Sequence, residues 1–504
     1  MSVLTSVVLI TLICMGIIYL IPKYRKRLRF VQMANALPGP KTQPIIGNAY
    51  YLLQRSFDEF LNSISLLTDT YPSPFRFWLA NKLVICVSEP DQIKTIFQSP
   101  NCINKSIGYE LIKPILGNGL LTAPAHIWAQ RRKMLTSSFN TNVLRTTCDT
   151  FVKHVSVFMG KIEYMLNDEV DLLHHIANCT LDMIFDVALN FDLGSQLKET
   201  VQYANTIARV TDIVTHRLRN IFLHPDIIFN FTSLRREQQR LLNIIHSTAE
   251  EVIQQRENAR NNLVENKNQS AKPSRKIYLD ILMEASDDGK KLTRKEIIDE
   301  ITTINCTGFD TVANTLNFLM FMLANFQEVQ RKVYEELLEI YGMQDPKSAP
   351  VKFEDLQHMN YMECVIKETM RLFPVGSILG RQLNADLQIG EYTLPKGAEV
   401  LIAVLDMHRN EKYWPKALTF DPDRFLPENM ANIHPNSYIP FSYGPRNCLG
   451  MKYAMVSMKA FTATLLRTFI LKVNKRVKIE EIKVKVTTVL TPVNSLKVRI
   501  EKRI

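Results

Sequence analysis

Nineteen consecutive residues near the N-terminus, Val3 to Ile21 (VLTSVVLITLICMGIIYLI), carry no charge, and no other stretch constrains the fold of the chain as strongly. At ~1.5 Å per residue a helix of this length approaches the ~30 Å hydrocarbon thickness of a bilayer, so it can span one. Pro22 is expected to end it, and Lys23, Arg25, Lys26, Arg27 and Arg29 follow at once. A basic cluster directly after a span holds the remainder on the cytosolic side. No basic stretch precedes the apolar run and no small-x-small site follows it, which favours a retained anchor over a cleaved leader. Leu37-Pro38-Gly39-Pro40 and Pro44-Ile45-Ile46-Gly47 then predict a stiff, turn-rich connector. The chain therefore divides into an anchor (1–22), a basic and proline-rich hinge (23–47) and a globular part (48–504).

Of 504 residues, 46% are apolar and 22% charged, enough to build a large core without staples. The net charge of +11 suits nucleic acid, an anionic membrane or an acidic protein. No Lys/Arg-rich stretch with interleaved aromatics is present, which sets nucleic acid aside. The cysteines Cys14, Cys86, Cys102, Cys148, Cys179, Cys306, Cys364 and Cys448 include no C-x-x-C pair, which argues for a reducing compartment. The histidines form no H-E-x-x-H set, and a zinc site is not indicated.

The globular part reads as mainly helical with a few short strands. Leu242 to Arg256 predicts a helix, and the apolar-poor stretch from Asn258 to Lys276 an exposed linker. Thr293-Arg294-Lys295-Glu296 has capping-box spacing, so a long helix of roughly thirty residues, roughly 45 Å, is expected to start there. Its middle, Cys306-Thr307-Gly308-Phe309-Asp310-Thr311, places a glycine, costing ~1 kcal/mol relative to alanine, among poor helix formers. Threonine hydroxyls can bond back to the carbonyl one turn earlier and open a polar notch in an apolar wall. The plainer alternative is a packing glycine beside a solvent-facing Asp310. Glu368 and Arg371, three apart on an amphipathic stretch that Pro374 ends, can pair on one helix face. Taken alone they amount to an ordinary surface pair.

Pro440-Phe441-Ser442-Tyr443-Gly444-Pro445-Arg446-Asn447-Cys448-Leu449-Gly450 is the stretch with specific chemistry. Two glycines and a proline surround one cysteine just ahead of a helix-forming run, Met451 to Phe469. A thiolate ligand to haem iron needs a rigid loop whose amides point at sulfur and which leaves room for a flat macrocycle. Gly444 and Gly450 supply room, Phe441 shields sulfur from water, and Arg446 is suited to a propionate.

These residues resemble the cytochrome P-450 superfamily, in its microsomal eukaryotic form. The chain is most like insect members related to the fatty-acid-hydroxylase branch. Phe441, Gly444, Arg446, Cys448 and Gly450 fit the pattern F-x-x-G-x-R-x-C-x-G, and Glu368 with Arg371 fit E-x-x-R. Phe420-Asp421-Pro422-Asp423-Arg424-Phe425 is similar to the family's P-E-R-F element, with Asp423 where glutamate is common. The resemblance implies a buried structural triad of Glu368, Arg371 and Arg424. Trp128 and Arg132 fit W-x-x-x-R, whose side chains meet a propionate, and Arg381 sits where another propionate ligand is common. The implied fold is one mainly α, triangular-prism domain with a small β-rich region and an N-terminal transmembrane helix. Val375 to Leu379 and Thr487 to Val493 are expected to line its pocket.

By the same resemblance Asp310 and Thr311 occupy the oxygen-activation positions. Thr307 and Val312 depart from the pattern, where a small and a hydroxyl residue are usual. A glutamate at the Thr307 position esterifies the haem in the fatty-acid-hydroxylase branch; with threonine there, no such bond is expected. The implied cofactor is haem b, with Cys448 as axial iron ligand. The implied activity is NADPH-driven insertion of one oxygen atom from O2 into a lipophilic substrate, such as a fatty acid, terpenoid, steroid or xenobiotic. The implied partners are an NADPH-cytochrome reductase and cytochrome b5, at the cytosolic face of the endoplasmic reticulum. Arg131, Arg132, Lys133, Arg446, Lys452 and Lys459 are expected to make the cysteine side basic. The run Asn220 to Phe231 suits either the membrane surface or the core. Two alternatives stay open: a haem-thiolate isomerase or peroxygenase that needs no reductase, and a non-catalytic haem or lipid-binding protein.

Overall fold

The computed structural model describes residues 3–51, 57–198, 203–265, 276–287, 292–344 and 348–503. The first helix, α1 (Val3–Asn35), is not ended by Pro22, which lies inside it. A proline there removes one backbone bond at a cost of ~3 kcal/mol. An apolar helix surrounded by lipid keeps its other bonds because the bilayer offers no alternative partners. The apolar part of α1 is fully exposed, and by length and composition it can cross a membrane.

The basic half of α1 is docked rather than hinged. Phe30, Val31, Ala34 and Leu37 pack into a small core with Trp78, Leu83 and Ile85. The Arg27 guanidinium lies 5.2 Å from the Phe30 ring centre and 5.1 Å from that of Trp78, and Arg29 meets Asp386 at 3.1 Å. The connector is turn-rich and pinned to the same sheet: the Asn48 amide donates to the Lys41 carbonyl, and the Trp78 N–H donates to Asn48.

The strands are β1 (Phe75–Leu79), β2 (Lys82–Val87), β3 (Glu169–Asp171), β4 (Ile378–Gln382), β5 (Glu399–Ala403), β6 (Phe469–Lys472) and β7 (Lys497–Lys502). They form two small sheets, ordered β1-β2-β5-β4 and β3-β7-β6, with β2 and β5 parallel and the other pairs antiparallel. Two short hairpins, 387–394 and 484–492, and isolated bridges from Gly47 to Gln43 and Leu79 are the other β-pairings among the described residues.

The helices that build the site are α2 (Ala125–Leu135), α3 (Leu173–Ile184), α4 (Tyr203–Arg219), α5 (Ser233–Glu265), α6 (Tyr278–Asp287), α7 (Arg294–Asn325), α8 (Asn360–Leu372) and α9 (Met451–Leu466). α5 runs through Glu265, so the first part of the expected linker is helical; residues 266–275 lie outside the described residues. Nothing in Asn258 to Glu265 breaks a helix that is already nucleated, and propagation then costs little.

α7 begins at the expected capping box, in which the Thr293 hydroxyl and the Glu296 carboxylate each accept the other residue's backbone N–H. Its 32 residues span about 48 Å. Most of them are buried, from Ile297 to Asn325, acids, threonines and asparagines included, so the helix runs through the interior of the domain. It packs against α3 and α8, so whatever faces the middle of α7 faces the interior.

Candidate active site

The floor of the site is the cysteine loop. The Cys448 N–H donates to the Phe441 carbonyl at 2.9 Å and the Asn447 N–H to that of Gly444 at 3.1 Å, which closes the loop on itself. Gly444 has a φ of +76°, and a Cβ there would lie 2.4 Å from the Phe97 carbonyl oxygen; both require glycine. Cys448 is exposed, and it lines a cavity. Burial raises the thiol pKa, while the Gly450 N–H and the Arg132 guanidinium work against that rise. A metal cation held by the sulfur would supply the charge these two influences lack, since a thiol that coordinates a metal is deprotonated.

The cavity above the loop has a volume of about 370 Å³. Leu116, Leu120 and Leu121 line it from the loop before α2, and Val375, Gly376, Ile378 and Leu379 from the segment after α8. Thr488 and Val489 come from the C-terminal hairpin. α7 contributes Thr303, Thr307, Thr311 and Thr315, one turn apart. Thr307, Thr311 and Thr315 each donate to the carbonyl four residues earlier, at 2.7, 2.8 and 2.8 Å. This is the polar notch: three cavity-lining threonines whose hydroxyl donors are satisfied along their own helix.

Gly308 is also a packing glycine, because a Cβ there would lie 2.7 Å from Ile184 Cγ1. Asp310 is not solvent-facing in the ordinary sense, since it lines the cavity and burial pushes its carboxyl up to about 6. The Asn314 amide donates at 2.9 Å to both the carbonyl and the carboxylate of Asp310. Asn314 was not singled out in the sequence, although its position one turn beyond Asp310 was the available signal.

Lys105, Arg381 and Arg446 gather at one side of the cavity, and among the described residues none of them has a carboxylate ion-pair partner. Arg446 donates to the Ala123 carbonyl and lies 4.8 Å from the Trp128 ring centre, yet its Nε and Nη1 are buried without partners. Arg381 is 1% exposed; Nη1 donates to the Gly380 carbonyl at 2.9 Å, and Nη2 has no partner. Burial lowers the pKa of both. Lys105, not anticipated from the sequence, lines the cavity, and burial together with Arg381 and Arg446 drives its pKa well down. Arg132 instead donates to the Asn447 carbonyl and side chain, at 2.9 and 2.7 Å, and so braces the cysteine loop directly. Unpartnered buried guanidinium nitrogens are costly unless an anion meets them, and the two propionates of a haem fit that need.

Glu368 and Arg371 are fully buried, not a surface pair. Arg371 grips Glu368 through Nε and Nη2, each at 2.7 Å, and donates to the His408 carbonyl at 2.8 Å. Arg424 approaches Glu368 at 3.6 Å and donates to the Lys416 carbonyl. The three side chains therefore meet, with Arg424 the outermost. Asp423, at the variant position, points away to Lys332 at 3.2 Å.

The expected basic face is mostly absent. Arg131 is buried on Glu296 and Glu300, Arg446 is buried, and Lys459 is buried on Glu363, so Lys133 and Lys452 are the exposed cations of that set. In Asn220 to Phe231 the side chains divide: Phe222, Ile227, Ile228 and Phe231 are exposed, and Phe229 is buried beneath Arg217.

A loop cysteine under a cavity crossed by a polar notch, with unsatisfied cations at one side, defines a haem-thiolate oxidoreductase. Residues 37–500 match the family model described as Cytochrome P450. The chain is 32% identical to "Cytochrome P450 4c3" of Drosophila melanogaster, over 98% of this chain and 95% of that one. It is 31% identical to "Cytochrome P450 4c21" of Blattella germanica, over 100% and 99%. It is also 31% identical to "Cytochrome P450 4V2" of Homo sapiens, over 92% and 89%. The chain belongs to the cytochrome P-450 family, and it is a haem-thiolate monooxygenase.

Replacing Arg371 with methionine leaves the Glu368 charge buried without its main partner, a loss of about 3–5 kcal/mol. Chemical denaturation of purified Arg371→Met is expected to show that drop; a change under about 1 kcal/mol contradicts the buried-pair geometry.

Proposed function

We propose that the chain inserts one oxygen atom of O2 into a lipophilic substrate, using NADPH electrons that an NADPH-cytochrome reductase delivers, with cytochrome b5 as a second donor. The observation that carries this assignment is the acid and alcohol pair, Asp310 and Thr311, on the same cavity as Cys448. The prosthetic group is haem b, and when bound on a thiolate it supplies an oxidant able to attack C–H bonds. Cys448 would hold its iron through the thiolate sulfur. Phe441 would keep water off the sulfur and Gly450 would leave room for the ring, while Trp128, Arg381 and Arg446 would hold the propionate side, with Lys105 beside them and Arg132 bracing the cysteine loop through Asn447. Glu368, Arg371 and Arg424 form the scaffold under this pocket.

Asp310 moves protons. Its carboxyl, near 6, exchanges a proton close to neutral pH, and Asn314 fixes its orientation. The Thr311 hydroxyl is held on the Thr307 carbonyl, with its oxygen open to the cavity to accept a water. The aliphatic lining favours a lipophilic substrate of the fatty acid, terpenoid, steroid or xenobiotic kind. The catalytic domain, 48–504, sits on the cytosolic face of the endoplasmic reticulum, anchored by α1 and wetted into the lipid surface by Phe222, Ile227 and Phe231.

Thr311→Ala is expected to keep its haem but to release more peroxide per NADPH consumed, measured with reductase and a panel of candidate lipids. Equal coupling in mutant and wild type contradicts the proton-delivery role. Turnover of a hydroperoxide with no requirement for NADPH points instead to a peroxygenase or isomerase, and spectral shifts without product to a binding protein. Because Thr307 offers no carboxylate, acidified butanone is expected to extract all of the haem; haem that stays with the protein contradicts non-covalent attachment.

A further inference from the structure

The loop between Leu116 and Ala125 forms one wall of the cavity, and a cluster of buried charges holds it there. Asp299 Oδ2 accepts from the Asn118 N–H at 2.9 Å, and Glu300 Oε2 accepts from the Leu120 N–H at 3.1 Å. Arg131 closes the cluster: Nη1 donates to the Asn118 carbonyl at 3.1 Å and to Glu300 Oε1 at 2.8 Å, and Nη2 donates to Glu296 at 2.6 Å. The Tyr278 hydroxyl donates to Glu300 Oε2 at 3.1 Å. At its far end the loop is tied to the cysteine loop, where Arg446 donates to the Ala123 carbonyl.

The fit leaves no slack. A Cβ on Gly117 would lie 2.0 Å from Asp299 Cγ, and one on Gly119 would lie 2.0 Å from Thr303 Oγ1. Glu300 is fully buried and Arg131 is 3% exposed, so the cluster is interior. Buried ion clusters are often no more stable than apolar packing of the same volume, and fixing one arrangement is the role that justifies them. Here the arrangement fixed is that of backbone N–H groups, through charge-assisted bonds, in a segment that would otherwise open locally.

We propose that Asp299, Glu300 and Arg131 form a latch that fixes the 117–124 loop as a rigid wall and thereby limits the cavity to compact or narrow lipophilic ligands. The three are positioning residues that act through Leu116, Leu120 and Leu121. The latch rests on the assignment above, that this cavity is the ligand site of a haem protein.

The test uses the full-length holoenzyme and two ligands whose ring nitrogen binds haem iron and shifts its main absorption band: imidazole, which is small, and clotrimazole, which is bulky. Wild type is expected to bind clotrimazole poorly relative to imidazole. Asp299→Ala removes the acceptor for Asn118, and Gly117→Ala pushes the loop away from Asp299. Both are expected to leave imidazole affinity within about twofold and to tighten clotrimazole about tenfold. Asp299→Asn, which keeps the side-chain shape, is expected to shift the ratio in the same direction by less, and it decides the matter if the other two variants do not hold haem. An unchanged ratio, a parallel loss of both affinities, or a wild type that already takes clotrimazole as tightly as the variants overturns the latch. Absence of any band shift with imidazole in the wild type overturns the haem assignment itself, and is told apart from failure of the latch in that way.

Discussion

A thiolate needs positive charge beside it, and the interior around Cys448 offers very little. One backbone N–H and one guanidinium oppose a burial that favours the neutral thiol. The same imbalance, with opposite sign, occurs at Arg381 and Arg446, whose buried nitrogens lack anions. A single group with a cationic metal at its centre and two carboxylates at its edge would satisfy both deficits. The closed cysteine loop, the brace from Arg132 to Asn447, and the buried Glu368–Arg371 pair fix the framework around these opposed groups.

Above the loop, α7 combines two requirements that conflict in an ordinary helix. Apolar packing with α3 and α8 needs a helix buried along its length, and proton movement needs polar groups in its middle. Threonines that bond back along their own helix reconcile the two, because each hydroxyl satisfies its donor locally while its residue lines the cavity. Among the described residues Asp310 is the one carboxyl that lines the cavity, and Asn314 holds it from one turn further on.

Much of this was legible in the sequence, wherever one local pattern admits one geometry. The capping box at Thr293 placed the start of α7, and the spacing around Cys448 placed the loop. Side-chain direction on a helix was not legible. Arg131 and Arg132 are adjacent, and the ~100° step between them sends one into the acids of α7 and the other onto the cysteine loop. Lys459 goes inward in the same way because Glu363 waits there from α8. Pro22 misled for a different reason: the penalty for a proline depends on the solvent around the helix, which the residue itself does not announce.

The most direct measurement is the absorption spectrum of the reduced, carbon-monoxide-bound protein, wild type beside Cys448→Ala. The wild type is expected to show the red-shifted main band of a thiolate-ligated haem, and the substitution to abolish it. A purified wild-type protein without haem, or one whose band is that of nitrogen ligation and survives the substitution, contradicts the account.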